Sequence, residues 1–302
     1  MDISIVHTVV WQDHHFARLE RMGEYTHHPG YPSTPAELTN RIGQAQVVIG
    51  ADVYFTAEVL GNCPNLAMIC LWSTGYDNVD LSAAQLREIT ISHVPSYSSY
   101  SVAEHAWAMV LHLAKKLSQA DSHVRSMHFD WSAIRGMELY NKKVGIIGMG
   151  AIGLHSASIA KGFGCEVVAY TKHPDRHRQA GLPYQFLTLP ELLSSCDIIL
   201  LHIPLNQETW HLINTEAFSQ MKKQPVLINT SRGAIIEMEP ALEALKSGII
   251  GGLGLDVLWD EPPDWSDRSL RQLLSMDQVV FSPHCGAHTP EAFDRLTDIC
   301  LV

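Results

Sequence analysis

The 302-residue chain lacks the features that direct proteins to membranes, to nucleic acids or out of the cell. Its apolar runs fall short of the roughly 18 residues that a membrane-spanning helix needs. Its first residues, MDISIVHTVVWQDHH, lack the basic leader and apolar run of a signal peptide. The formal net charge is −11 and no long basic run occurs, which argues against nucleic acid or an anionic membrane as the main partner. A cytoplasmic location is therefore expected.

Cysteine is sparse, and metal-binding motifs are missing. The six cysteines form no CxxC pair, which predicts reduced thiols in an intracellular protein. The 17 histidines include the pair His14–His15, but none belongs to HExxH or another ligand spacing. His284 and His288 are four residues apart, but the prolines that flank them oppose a long helix presenting both. We therefore expect no metal site.

Apolar runs alternate with polar, helix-forming segments, and this alternation predicts parallel sheets covered by helices. In the first third of the chain, strands are predicted at 3–10, 45–50, 66–72 and 89–94, and helices at 34–43 and 79–88. Further on, strands are predicted at 143–148, 166–170, 197–203, 225–230, 251–258 and 278–283, and helices at 151–163, 189–195, 214–221 and 239–247. The fold class predicted is α/β, with two doubly wound parallel-sheet domains of the Rossmann or flavodoxin-like kind.

A long apolar segment, SVAEHAWAMVLHLAKKL (101–117), lies between the two sets of elements. Ser101 can cap a helix here, and Glu104 follows three residues later, as in a capping box. Apolar residues occur on nearly all sides of such a helix, which predicts that it is largely buried. We expect it to open the second domain.

The segment KVGIIGMGAIG places Gly148, Gly150 and Gly153 in a GxGxxG pattern between a predicted strand and a predicted helix. The first glycine permits a tight turn, the second lets the backbone approach a pyrophosphate, and the third lets the helix pack close to the strand. The free N–H groups and the dipole of the helix N-terminus favour an anion there. The pattern predicts that a dinucleotide binds at this loop.

The acid that usually follows the next strand, where it binds the ribose 2′-hydroxyl, is missing. The strand EVVAY ends at Tyr170, and Thr171 and Lys172 follow. Thr171 removes the repulsion of a 2′-phosphate and Lys172 adds a cation, with Arg176 or Arg178 within reach. We expect NADP(H) to be favoured, with NAD(H) possible if these cations form only a solvated loop.

Five stretches together resemble the D-isomer-specific 2-hydroxyacid dehydrogenases, over nearly the whole chain. INTSRGAIIE (228–237), LDVLWDEPP (255–263) and SPHCGAHT (282–289) are similar to the three signatures of that family. STGYDNVDL (73–81) and VPSYSSYSVAEH (94–105) are similar to its first-domain and hinge signatures. STGYDN and SYSS resemble most the glycerate dehydrogenase/hydroxypyruvate (glyoxylate) reductase branch. The resemblance implies reduction of a small 2-keto acid of the hydroxypyruvate, glyoxylate or pyruvate class to the D-2-hydroxy acid.

The chemistry of such a reaction agrees with the residues present. A 2-keto acid needs a cation for its carboxylate, and Arg232 follows a strand at the edge where α/β sites lie. It also needs a proton donor for the developing alkoxide, and His284 follows another strand. In the family pattern Glu261 hydrogen-bonds this histidine, which raises its pKa. Spacing alone does not distinguish Glu261 from its neighbour Asp260.

The resemblance also implies binding residues. Asp256 is similar to the family residue near the nicotinamide amide, and LHIPLNQET (201–209) to the segment lining the adenosine and nicotinamide ribose. The cofactor residues expected are Gly148, Gly150, Ala151, Ile152, Gly153, Thr171, Lys172, His202, Ile203, Pro204, Thr209, Thr230, Ser231, Arg232, Asp256, His284 and Gly286. The substrate residues expected are Ser73, Thr74, Gly75 and Tyr97.

The family organisation implies a substrate (catalytic) domain at 1–99 plus 287–302, a dinucleotide-binding domain at 100–286, an interdomain cleft that binds the ligands, and a homodimer. The chain stops at Val302, before the family's returning helix is complete, which predicts a frayed or incomplete C-terminal segment. Two alternative functions remain open: a nucleotide-sensing, corepressor-like binding protein on the same fold, and a phosphite dehydrogenase. Glu261 disfavours a formate dehydrogenase, because that branch of the family has another residue in place of the glutamate that pairs with the catalytic histidine.

Overall fold

The computed structural model describes residues 1–132, 134–174 and 184–302. They form two compact units. The first unit consists of Met1–Ser98 and His288–Val302, and the second of Ser99–Ala287. Among the described residues, no helix combines the length and the apolar character needed to cross a membrane.

The first unit contains a parallel sheet with the strand order β2-β1-β3-β4-β5. The strands are β1 (Asp2–Ile5), β2 (Glu24–His27), β3 (Val47–Gly50), β4 (Met68–Leu71) and β5 (Thr90–Ser92). The α-helices between Met1 and Ser98 are α1 (Asp13–Met22), α2 (Pro35–Ile42), α3 (Ala57–Gly61) and α4 (Leu81–Leu86). Every residue of β3 is buried, as a central strand with helices on both faces requires.

The second unit contains a larger parallel sheet with the strand order β12-β11-β10-β9-β6-β7-β8. The strands are β6 (Lys143–Ile147), β7 (Glu166–Tyr170), β8 (Gln185–Phe186), β9 (Ile198–Leu201), β10 (Val226–Asn229), β11 (Gly252–Leu255) and β12 (Val279–Phe281). The described helices are α5 (Ser99–Lys115), α6 (Leu117–Arg125), α7 (Ala151–Gly162), α8 (Leu189–Ser195), α9 (Thr215–Ser219), α10 (Met238–Lys246) and α11 (Arg268–Leu274). Counted from β6, this is the strand order of the dinucleotide-binding fold with one strand added beyond it.

The two sheets confirm the predicted α/β class. Their strands are linked by helices, and each ends at one carboxyl edge, from which the loops with the predicted site residues emerge. In the second unit, the strand order changes direction between β6 and β9, so the glycine loop after β6 lies at the topological switch point. Ligands bind at such points in open α/β sheets.

Helix α5 begins earlier than predicted and does not use the predicted cap. Its first residue is Ser99, and Ser101 lies inside the helix, where its Oγ donates to the carbonyl of Gly286 at 2.6 Å. Ser101 therefore fastens the helix to a distant loop instead of capping it. The expected burial is found, since most of the helix's apolar side chains are inaccessible to solvent.

Of the two outcomes expected for the C-terminal segment, frayed or incomplete, the structure does not show fraying. Residues Pro290–Cys300 form a regular helix, α12, whose N-cap Thr289 accepts a hydrogen bond from the backbone N–H of Ala292. Proline at the first helical position supports this start, because its missing N–H would have no partner there. Arg18 binds the far end of α12 through Asp298, at 2.7 Å. The helix is thus capped at its start and anchored within the first unit.

Candidate active site

The glycine loop has the geometry that a pyrophosphate needs. Gly148 has φ +102°, and a Cβ there would lie 2.2 Å from the carbonyl oxygen of His202. A Cβ at Gly153 would lie 2.0 Å from the carbonyl oxygen of Gly148. A Cβ at Gly150, in contrast, would meet nothing within 4 Å. The outer two glycines are required by the protein's own backbone, whereas Gly150 leaves open space at the start of α7, where Ala151 and Ile152 form the first turn.

Near the carboxyl edge of the second unit's sheet, two buried polar atoms lack a hydrogen-bond partner among the described residues. They are Thr230 Oγ1 and His202 Nδ1. Thr230 directly follows β10, and His202 directly follows β9. An unpaired buried hydroxyl costs free energy, so Thr230 fits a position that a ligand completes. His202 Nε2 pairs with Ser156 Oγ at 2.8 Å, and burial lowers the pKa of His202 to about 4, so its ring stays neutral.

The predicted segment after β9 forms a turn closed by Thr209. The Thr209 hydroxyl donates to the carbonyl of Pro204 at 2.7 Å and accepts from the backbone N–H of Asn206 at 2.8 Å. The threonine therefore fixes the shape of the loop with its own side chain. Ile203 and Pro204 enter this turn from the end of β9.

The cation predicted next to Thr171 is already paired. The Lys172 ammonium contacts both carboxylate oxygens of Glu208, at 2.5 Å for Oε2. Both side chains are largely exposed. Because β6 lies between β7 and β9 in the sheet, this ion pair spans the edge from which the glycine loop emerges. Arg176 and Arg178, which we also expected to approach the cofactor, lie outside the described residues.

His284 and Glu261 form a close pair, with 2.6 Å between Nδ1 and Oε2. The other carboxylate oxygen of Glu261 accepts from the backbone N–H of Leu258 at 3.0 Å, which orients the group. The hydrogen bond to Glu261 raises the pKa of His284 above its usual value, against the effect of burial. Burial works to raise the pKa of Glu261, but the bond to His284 and its charge bring that pKa below its usual value.

The backbone of His284 is strained. Its φ is +53°, which is uncommon for a residue with a side chain, and its N–H donates to the carbonyl of Asp256 at 2.7 Å. Such strain persists where surrounding bonds impose it, and it concentrates at functional sites. The loop thus presents the His284 ring at a fixed angle to Glu261.

Arg232 lies in a tight turn after β10. The carbonyl of Arg232 accepts from Asn229 Nδ2 at 2.8 Å, and Asn229 Oδ1 accepts from the N–H of Ser231 at 3.0 Å. The buried Asn229, which the sequence reasoning missed, therefore holds the turn. The positive charge of Arg232 acts to lower the pKa of both His284 and Glu261, although the bond to Glu261 leaves the pKa of His284 raised. The three predicted catalytic residues thus lie in one neighbourhood of the second unit.

Asp256 is the most completely bound carboxylate of this neighbourhood. It is 2% exposed and accepts hydrogen bonds from Ser282 Oγ and from the backbone N–H groups of Cys285 and Gly286. His105 Nε2 lies 3.3 Å from Asp256 Oδ1. Burial opposes the charged form, but the hydrogen bonds outweigh it and lower the pKa of Asp256. Sequence reasoning singled out neither His105 nor Ser282, since the two are 177 residues apart.

The four predicted substrate residues lie in the first unit. Ser73 Oγ donates to the carbonyl of Gly75 at 2.9 Å, and Thr74 Oγ1 donates to that of Val94 at 2.8 Å. These hydroxyls shape the loop after β4. The carbonyl of Tyr97 accepts from Arg295 Nε at 2.9 Å. The structure therefore brings Ser73, Thr74 and Gly75 together and anchors Tyr97 to α12.

Known proteins resemble the chain in sequence. A family model described as "D-isomer specific 2-hydroxyacid dehydrogenase, NAD binding domain" matches residues 107–286. The chain is 36% identical to a glyoxylate reductase of Thermococcus litoralis, an alignment that covers 80% of this chain and 74% of the relative. It is 35% identical to a hydroxypyruvate reductase of Thermotoga maritima, with 86% and 84% covered.

Solved structures resemble the fold over its whole length. A D-lactate dehydrogenase from Aquifex aeolicus in complex with NAD and lactic acid has a TM-score of 0.85 and 30% identity, covering 100% of this chain and 93% of that one. An acyclic imino acid reductase (Bsp5) in complex with NADPH and D-Arg has a TM-score of 0.88 and 27% identity, covering 99% and 94%. From the family match, the similar sequences and the shared fold, we conclude that this chain belongs to the D-isomer-specific 2-hydroxyacid dehydrogenases, a family of oxidoreductases.

Proposed function

We propose that this enzyme reduces a small 2-keto acid of the hydroxypyruvate, glyoxylate or pyruvate class to the D-2-hydroxy acid, reversibly, with a nicotinamide cofactor. The observation that carries the proposal is the 2.6 Å pair of His284 and Glu261, with the charge of Arg232 beside it. The named activities of the glyoxylate and hydroxypyruvate reductases that it resembles support the substrate class.

Arg232 binds the carboxylate and carbonyl side of the substrate, because a guanidinium donates in a fork that matches these oxygens. His284 donates a proton to the oxygen on which negative charge develops during reduction, and removes it again during oxidation. Glu261 keeps His284 protonated and oriented, through the bond to Nδ1, so that Nε2 is left to face the substrate. The bound cofactor supplies the hydride.

The glycine loop would hold the cofactor, and Gly150 and the N-terminus of α7 would bind its pyrophosphate. The space at Gly150 and the unpaired Thr230 hydroxyl support this placement. Asp256 would accept a hydrogen bond from the amino group of the nicotinamide carboxamide. NADP(H) is favoured over NAD(H) because Thr171 places no acid against a 2′-phosphate, although the pairing of Lys172 with Glu208 limits that preference. Complexes of related structures with NADPH and with NAD support a nicotinamide cofactor in general.

The segments 1–99 and 287–302 form the substrate domain, in which Ser73, Thr74, Gly75 and Tyr97 bind the substrate, and residues 100–286 form the cofactor domain. The enzyme acts as a homodimer. Support for self-association comes from the surface after α5: every residue of α6 is at least partly exposed, and Met127, Phe129 and Trp131 that follow it are 84–96% exposed. Exposed apolar residues in such a cluster are typical of protein interfaces.

One assay panel tests the function. The purified enzyme is given glyoxylate, hydroxypyruvate, pyruvate or phosphite, each with the appropriate form of both cofactors, and the nicotinamide absorbance is followed. We expect turnover with at least one keto acid, and a loss of about 100-fold or more in kcat/KM for His284→Ala. Turnover of phosphite alone would support the phosphite dehydrogenase instead. Cofactor binding without turnover of any compound would support the sensing protein.

A further inference from the structure

A hydrogen-bonded chain of three side chains lies behind the proposed nicotinamide site. His105 Nε2 is 2.8 Å from Ser282 Oγ, and Ser282 Oγ is 2.5 Å from Asp256 Oδ1. The serine has one proton, and the carboxylate can only accept, so the Ser282 hydroxyl donates to Asp256. The oxygen of Ser282 therefore accepts from the protonated Nε2 of His105. The direction of the chain is His105 to Ser282 to Asp256.

The hydrogen bonds that Asp256 accepts leave one acceptor site of its carboxylate unused. An ionised carboxylate has about four acceptor sites. Oδ1 uses its two for Ser282 and the backbone N–H of Cys285, at 2.9 Å, and His105 Nε2 lies a further 3.3 Å from the same oxygen. Oδ2 uses one for the N–H of Gly286, also at 2.9 Å. Oδ2 therefore keeps one acceptor site, and the bonds to Oδ1 decide where that site points. Without the hydroxyl of Ser282, backbone N–H groups would still hold both oxygens, but Oδ1 would lose its shortest hydrogen bond.

Helix α5 brings His105 to this position in a fixed register. Ser101 and His105 are one helical turn apart, and both reach the loop at 282–286. Ser101 Oγ donates to the carbonyl of Gly286 at 2.6 Å. A Cβ at Gly286 would lie 2.8 Å from Asp256 Oδ2 and 3.4 Å from the His105 ring, so the glycine permits the close approach. The side chain of His105 is 24% exposed, which leaves little freedom for its ring to move.

We propose that His105 is a positioning residue: through Ser282 it orients the Asp256 carboxylate toward the carboxamide of the nicotinamide ring. The inference rests on the proposed function, since it takes the free acceptor site on Oδ2 to be the one that binds the carboxamide N–H. It assigns His105 and Ser282 to the same task. Neither residue touches the cofactor itself.

The test compares two reduced cofactors that differ in one group: the natural dinucleotide and its 3-acetylpyridine analogue, which has no carboxamide N–H. Dissociation constants are measured by fluorescence titration without substrate, with melting temperatures as a check on folding. The variants are His105→Leu, which removes the donor, His105→Gln, whose Nε2 can replace it, and Ser282→Ala. His112→Leu on the same helix is the matched control, because His112 pairs with the exposed Ser118 hydroxyl, at 2.9 Å, and not with the loop at 282–286 among the described residues.

We expect His105→Leu and Ser282→Ala each to weaken binding of the natural cofactor by about 5- to 20-fold and binding of the analogue by less than about 2-fold. His105→Gln should restore most of the loss, and the double variant should lose no more than either single variant. Equal losses with both cofactors would mean that His105 only supports the fold, and would overturn the proposal. Unchanged binding of both would overturn it as well. If the wild-type enzyme binds neither cofactor, the proposed function fails first, and the inference falls with it.

Discussion

At the scale of single residues, the pair of His284 and Glu261 predicts the pH dependence of the reaction. The bond to Glu261 raises the pKa of His284, so the ring stays protonated to a higher pH than an ordinary histidine. Reduction needs the protonated ring, and kcat/KM for the keto acid should therefore be constant at low pH and fall as the pH rises through that raised pKa. The depressed pKa of Glu261 keeps its carboxylate charged throughout this range.

Glu261→Gln removes the charge and keeps the shape of the side chain. The fall in kcat/KM should then move to lower pH by about one unit, because the imidazolium loses its anionic partner. The measurement is the pH profile of kcat/KM for reduction in wild type and variant. Asp260→Asn is the matched control, since Asp260 precedes Glu261 and is exposed. Superimposable profiles for wild type and Glu261→Gln would contradict the role of Glu261.

We expect cofactor choice to depend on Thr171 and Lys172, where two substitutions should act in opposite directions. Thr171→Asp places an acid against the 2′-phosphate and should lower kcat/KM with NADPH relative to NADH by about 10-fold or more. Glu208→Gln releases the Lys172 ammonium and should raise the same ratio, but only by about 2- to 5-fold, since exposed ion pairs are weak. The ratio is measured with one keto acid at saturating concentration. If neither substitution changes the ratio, Thr171 and Lys172 do not distinguish a cofactor with a 2′-phosphate from one without.

The residues of the candidate site differ in how far the sequence could predict them. The spacing of the glycines in the GxGxxG pattern predicts a tight turn, open space for a ligand and close packing of the helix. The backbone surroundings of Gly148, Gly150 and Gly153 agree with these three expectations. The role of His105 could not be predicted in that way, because its partner Ser282 is distant in the sequence. The apolar residues on nearly all sides of its helix predicted only that the helix is buried. A local motif predicts the geometry of its own segment. A hydrogen-bond network between distant segments cannot be predicted from such motifs, because it depends on which loops the fold brings together.

At the scale of elements, the predicted strands and helices were found wherever the apolar pattern was strong. The strand at 166–170 and the helix at 189–195 have the predicted bounds, as β7 and α8. The sequence analysis missed β2, whose four residues EYTH are mostly exposed at the edge of the sheet. It also missed α6, because that helix has no buried face. Both elements lack the buried apolar side that makes periodicity visible.

Helix α7 and its N-cap carry a prediction that separates folding from binding, because Gly150, Gly153 and Gly162 have different surroundings. Gly153→Ala forces a Cβ against the Gly148 carbonyl, at 2.0 Å, and should lower the melting temperature. Gly150→Ala and Gly162→Ala meet nothing within 4 Å, so the fold should tolerate both. Only Gly150→Ala should then weaken cofactor binding, by about 10-fold or more, because its methyl group occupies the space for the pyrophosphate.

The measurements are melting temperature without cofactor and the dissociation constant of the reduced cofactor. Gly162→Ala is the control for the substitution itself, and alanine even favours a helix over glycine at such a position, by up to about 1 kcal/mol. If Gly150→Ala binds the cofactor as the wild type does, the pyrophosphate does not lie over this loop, and the proposed cofactor site is wrong.

At the scale of the whole molecule, the buried cores that stabilise the two units are distinct from the exposed surface that we propose for self-association. Each unit has its own buried core beside its own sheet, so neither needs a second chain to cover its strands. The exposed apolar side chains after α6 therefore do not belong to a core that is left incomplete in the single chain. Phe129 is 94% and Trp131 84% exposed, and this is surface that a second copy of the chain can bury.

The last prediction follows from that surface. Light scattering coupled to size exclusion should give twice the mass of the 33.6 kDa chain for the wild type. Phe129→Ser/Trp131→Ser should shift the enzyme toward the monomer, because the double variant removes two of the largest apolar groups from the proposed interface. Tyr54→Ser/Leu86→Ser is the matched control, since these residues of the first unit are 65% and 87% exposed. A monomeric wild type would contradict the homodimer, and an equal shift in the control would mean that loss of any exposed apolar pair, not this surface, sets the mass.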